Sequence, residues 1–105
     1  MKSFKVFLGG RCDDNNAWRD DVKGMNFKHI TFFDPYKKDW DAHTDIYKEL
    51  KEMLKSDYVV FYKGGIGSKN EMEILTIVGK PKYKTFTDLT VLKKFLSKLD
   101  AGLGV

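Results

Sequence analysis

The sequence predicts a single α/β domain of three layers, with helices on both faces of a mostly parallel sheet of four or five strands. Short apolar runs rich in Val, Phe and Tyr alternate along the chain with segments whose apolar residues recur at helical spacing. Gly, Pro, Asn or Asp marks the changeovers, as at Gly9-Gly10, Asp34-Pro35, Gly64-Gly65 and Gly79-Lys80-Pro81. The size agrees: 105 residues, 42% of them hydrophobic, fill one core and argue against disorder.

Taken in order, Phe4–Leu8 reads as a buried first strand broken by Gly9-Gly10. Trp18, Val22 and Met25 fall on one face of a helix starting near the cap-rich Asp13–Asn16 cluster. His29–Phe33 is a second strand, stopped by Asp34-Pro35. Asp41 or Thr44 caps a second helix that turns Ile46, Leu50, Met53 and Leu54 inward. Asp57–Tyr62 forms the third strand, Ser68–Val78 the third helix and Tyr83–Phe86 a fourth strand. Thr87-Asp88 caps a last helix carrying Leu89, Leu92, Phe95 and Leu99. With right-handed crossovers this alternation gives a flavodoxin-like arrangement over residues 1–105.

Composition narrows the function. No apolar run approaches the ~20 residues of a membrane span, and no export signal opens the chain, so a cytoplasmic protein without membrane partners is expected. The lone Cys12 forms no internal disulfide and reads as a small buried residue, and no His/Cys cluster has metal-ligand spacing. His29 and His43 have no paired acid in the sequence. A net charge of +4 is mildly basic and reads as interspersed, which suits small anionic ligands and speaks against a nucleic-acid partner.

The most informative stretch is Gly64-Gly65-Ile66-Gly67-Ser68-Lys69-Asn70-Glu71, which joins a strand to a helix. A glycine-rich turn of this kind lets a ligand approach bare backbone, and the helix start offers unpaired N–H groups to an anion. It also holds one carboxylate, Glu71, at the sheet edge where open α/β folds bind ligands. Two readings of Ser68 and Glu71 stand side by side. Ser68-x-x-Glu71 before an apolar run is a capping box, tying up orphan N–H groups. Glu71 is alternatively a cleft-facing carboxylate, its ionised form favoured by the positive end of its helix.

Three segments together resemble the nucleoside 2-deoxyribosyltransferase-like family, in its small phage and bacterial branch. Val6-Phe7-Leu8-Gly9-Gly10-Arg11-Cys12 followed by Trp18-Arg19-Asp20 is similar to that branch's N-terminal signature. Asp39-Trp40 after Phe33-Asp34-Pro35-Tyr36 is similar to its second strand and Asp-Trp. Ser56-Asp57-Tyr58, Gly65-x-x-Ser68-x-x-Glu71 and Gly79-Lys80-Pro81 complete the match. The resemblance implies that Glu71 is a nucleophile that attacks the anomeric carbon of a 2-deoxyribosyl group and forms a glycosyl-enzyme ester. A second base or water then resolves the ester, as in two-step retaining glycosyl transfer. Close alternatives are a deoxynucleoside 5'-monophosphate N-glycosidase and a non-catalytic nucleotide-binding or sequestering module.

By the same resemblance Glu49 orients the nucleophile or contacts the sugar, its plainer reading being a solvated position beside Lys48 and Lys51. Relatives carry a longer loop before the glutamate, often with a further acid, where this chain has Lys63-Gly64-Gly65. No cofactor is implied; the expected partner is a small deoxynucleoside or deoxynucleotide, and a homo-oligomer is implied. The apolar run Ile74–Val78 fits burial on more than one side. The expected substrate-binding set is Gly9, Gly10, Arg11, Arg19, Asp39, Trp40, Gly65, Gly67 and Ser68. The missing Cβ atoms of Gly9 and Gly10 admit sugar or base, or serve a tight turn. Arg19 pairs with Asp20 or with an acid across the site, Trp18 is core, and Asp57 is structural rather than catalytic.

Overall fold

A computed structural model describes residues 3–10, 17–35, 45–63 and 66–102. Four strands and four helices alternate: β1 (Phe4–Gly10), α1 (Ala17–Lys23), β2 (Ile30–Phe33), α2 (Asp45–Lys55), β3 (Tyr58–Tyr62), α3 (Ile66–Val78), β4 (Lys82–Phe86) and α4 (Leu89–Asp100). The sheet is parallel throughout in the order β2-β1-β3-β4, so the expected flavodoxin-like α/β architecture is present. Among the described residues no helix is long and apolar enough to cross a membrane.

Strand alternation sorts side chains to two cores. Val6, Leu8, Tyr58 and Val60 face α1 and α4, where Trp18, Val22, Leu92, Phe95, Leu96 and Leu99 meet them. Phe7, Val59 and Phe61 face α2 and α3, where Met53 and Leu75 anchor the helices. Both faces of β1 and β3 are therefore dry, which is why these strands read as unbroken apolar runs.

Several local expectations are corrected. Met25 lies past the end of α1 and is 37% exposed, so it is not on the helix face with Trp18 and Val22. In α2 Met53 is fully buried, but Ile46 and Leu54 are 41% and 42% exposed. The run Ile74–Val78 buries Leu75 and leaves Ile77 85% exposed, so the packing of this chain covers one side of it. Asp88 caps α4 as expected, accepting N–H bonds from Thr90 (2.8 Å) and Val91 (3.3 Å). Asp57 is structural: its carboxylate accepts the Lys5 N–H at 2.8 Å, and its own N–H donates to the Lys5 carbonyl, pinning the start of β3 to β1. The caps expected at Asp13–Asn16, Asp41 and Thr44, together with Cys12, fall outside the described residues.

Candidate active site

In an all-parallel sheet every strand ends at the same edge. The chain moves outward from β1 to β2 in one direction and from β3 to β4 in the other, so the crevice between the ends of β1 and β3 is the topological switch point. Gly9 and Gly10 close β1 there, paired with Phe61 and Tyr62 of β3. Both glycines have an internal reason. A Cβ on Gly9 would stand 2.5 Å from the Phe61 ring, and one on Gly10, at φ +113, would stand 2.3 Å from the Tyr62 carbonyl oxygen. The room at these positions is taken by the protein itself rather than held open for a ligand.

Glu71 lies on α3 one turn before the buried Leu75, and Glu49 lies on α2 one turn before the buried Met53. Residues four apart share a helix face, so both acids follow the core-facing stripe toward the switch-point edge. Glu71 is partly buried, and its Oε2 has no hydrogen-bond partner among the described residues. Its pKa is pushed up to about 7, first by burial, then by the Glu49 carboxylate, with the Arg19 guanidinium pulling the other way. These three side chains therefore share one electrostatic site, although they come from three different helices.

The capping-box reading is overturned. Helix α3 begins at Ile66, so Ser68 sits inside its first turn, buried at 3% exposure, and Glu71 belongs to the second turn. Neither occupies a capping position. The expectation that the helix terminus keeps Glu71 ionised fails for the same reason: the terminal field fades within the first turn, and burial outweighs it. Gly67 is the second residue of α3, whereas Gly65, Arg11, Asp39 and Trp40 lie outside the described residues.

Arg19 is wholly buried on α1. Its Nη2 donates to the Leu8 carbonyl (3.2 Å), its guanidinium lies 4.5 Å over the Trp18 ring, and its Nε stands 3.0 Å from Asp34 Oδ1. Asp34 is thus an acid partner of Arg19, while Asp20 is exposed and approaches Lys23 at 3.8 Å. Lys23 also reaches the other Asp34 oxygen, at 2.8 Å. Trp18, buried and 5.2 Å from the Tyr62 ring, is core as expected. Asp34, which the sequence marks as a strand stop and as part of the Phe33-Asp34-Pro35-Tyr36 resemblance but not as a site residue, is the carboxylate that the fold brings against Arg19. A carboxylate directly after a parallel strand is placed at the ligand edge by topology alone, and that signal was present.

The model of the family described as nucleoside 2-deoxyribosyltransferase like matches residues 3–85. The chain belongs to the nucleoside 2-deoxyribosyltransferase-like family. No curated protein and no solved structure matches it.

Proposed function

We propose that the protein transfers a 2-deoxyribosyl group between nucleobases, with Glu71 as the nucleophile. The observation that carries this reading is a partly buried carboxylate, one oxygen of which has no partner among the described residues, under the charges of a second carboxylate and a buried guanidinium. One Glu71 oxygen bonds to C1' as the C1'–N bond breaks, and the bond's electron pair leaves with the base, which takes up a proton. A ring nitrogen of the incoming base then attacks C1', displaces the Glu71 carboxylate and loses its own proton. Two inversions give net retention.

Burial serves the chemistry in a specific way. A carboxylate stripped of water is a stronger nucleophile, and forming a neutral ester removes the buried charge. Glu49 holds its negative charge near the developing oxocarbenium-like carbon, and Arg19 limits how far the Glu71 pKa rises. The family resemblance also implies a homo-oligomer. Sedimentation velocity tests that directly, since a single chain is 12.2 kDa.

The enzymatic test has two arms. Incubation with deoxyinosine and adenine is expected to yield deoxyadenosine, and Glu71→Gln is expected to lower the rate on the order of 10³-fold or more. Incubation with a deoxynucleoside 5'-monophosphate in water separates the hydrolase from the transferase. Ligand binding without turnover in either arm, unaffected by Glu71→Gln, would make the chain a nucleotide-binding module instead.

A further inference from the structure

The positive charge of this chain is segregated. Residues 1–78 hold 13 basic and 13 acidic residues, whereas residues 79–105 hold six lysines and only Asp88 and Asp100 as acids. The whole surplus of +4 therefore sits on β4, α4 and their flanks, which revises the reading of an even distribution. Both acids are occupied: Asp88 caps α4, and Asp100 accepts the His29 N–H at 2.6 Å.

The fold gathers four of these lysines on one face. Lys82 and Lys84 alternate with Tyr83 along β4, and Tyr83 packs into the α2–α3 core, so both lysines project on the α4 side. Lys84 Nζ lies 4.9 Å over the Phe95 ring, and Phe95 itself packs on Tyr58 (5.2 Å) and Phe86 (5.5 Å). The Phe95 side of α4 is therefore the side turned toward the β4 edge. Lys94 and Lys98 flank it on the outward surface, one helical turn apart. All four are exposed, and none has an acidic partner among the described residues; Asp57, the acid next to Tyr58, is bound to the Lys5 N–H. Two rows result, with lysines spaced about 6.6 Å along the strand and about 6 Å along the helix.

We propose that this outward face of β4 and α4 is a docking surface for double-stranded nucleic acid, gripped by its phosphates through Lys82, Lys84, Lys94 and Lys98. Edge-strand lysines also deter strand pairing, which accounts for Lys82 and Lys84 but not for the helical pair. A lipid surface fits less well. The apolar stripe of α4 is spent on the sheet, leaving Val91 as its one exposed large apolar residue, so there is no wedge to enter a bilayer. Single strands want exposed aromatic platforms, and Phe86 and Phe95 are packed against each other. A rigid, lysine-only face reads charge spacing rather than base sequence.

The test is fluorescence anisotropy of the intact protein with a labelled DNA duplex of about two helical turns, titrated at several salt concentrations. Four phosphate contacts predict a log–log salt slope of about −3.6, an affinity loss on the order of a hundredfold between about 50 and 200 mM salt. Lys82→Gln, Lys84→Gln, Lys94→Gln and Lys98→Gln combined should flatten the slope to near zero. The milder pair Lys94→Gln and Lys98→Gln, which leaves the sheet untouched, should halve it. Neutralising the exposed Lys48, Lys51 and Lys55 of α2 should leave the slope as in the parent. Duplex affinity unchanged by the fourfold variant overturns the proposal, and so does binding to phosphatidylserine vesicles with none to the duplex.

Discussion

At Glu71, burial and the neighbouring Glu49 carboxylate push the proton affinity the same way, and Arg19 opposes them without prevailing. The consequence for stability follows from linkage. The folded carboxyl has a pKa of about 7 against 4.5 for the free group, so the folded state holds more protons between those values. Stability from this group is full below pH 4.5, falls as pH rises, and reaches its lowest level above about 7. Glu71→Gln should therefore raise stability at pH 8 by up to about 3 kcal/mol and change it little at pH 4, measured by urea unfolding. The rate has the opposite trend, since the nucleophile must be ionised: kcat/KM should climb through about pH 7 and level off above it. Asp34 offers a second test. Asp34→Asn removes the carboxylate that stands 3.0 Å from the buried Arg19 Nε, at an expected cost of about 3 kcal/mol in urea unfolding. Glu71 was readable from the sequence because glycines and a strand flank it, whereas the buried ion pair was not. Nothing in Trp18-Arg19-Asp20 distinguishes an arginine facing inward from one facing water until the sheet is assembled.

Helix α3 shows where local signals lose to tertiary ones. A glycine-rich turn followed by the capping-box pattern Ser68-x-x-Glu71 predicts a helix from Ser68. The fold instead begins it at Ile66, with Gly67 inside, and so buries Ser68 and points Glu71 along the Leu75 stripe. Lys63, just before it, holds a left-handed backbone at φ 48 while its N–H donates to the Phe86 carbonyl at 3.0 Å. Lys63→Gly should relieve strain and stabilise the fold by about 1 kcal/mol in thermal unfolding, and a lowered melting temperature would contradict this. Helix α4 is the opposite case. Its cap and its Leu92–Phe95–Leu99 stripe are both legible in the sequence, because an Asp cap and a strong period agree. Asp88→Ala should cost about 1 kcal/mol. The inward positions of α2 are only partly legible: Met53 is fully buried while Ile46 and Leu54 stay partly exposed, since a helix on one face of a small sheet has only that face to bury.

For the whole molecule, alternation of strand and helix patterns was enough to foresee the layers, but strand order is a property of crossovers and came only with the sheet. That order sets α1, α2 and α3 around the sheet so that the charges of Glu49 and Arg19, widely spaced in the chain, both act on Glu71. It also separates two kinds of surface. A charge-balanced body carries the candidate site, and a basic flank on β4 and α4 lies to one side of it. The family match over residues 3–85 spans β1 to β4 and stops short of α4, so Lys94 and Lys98 lie beyond the matched region. The most direct measurement of the central claim is rapid quenching of the protein with a 2'-deoxynucleoside, followed by proteolysis and mass mapping. A single 2-deoxyribosyl group on the peptide containing Glu71, lost in Glu71→Gln and discharged by added adenine, is the predicted result. Base release that proceeds at the parental rate in Glu71→Gln, with the sugar on another residue or on none, would contradict it.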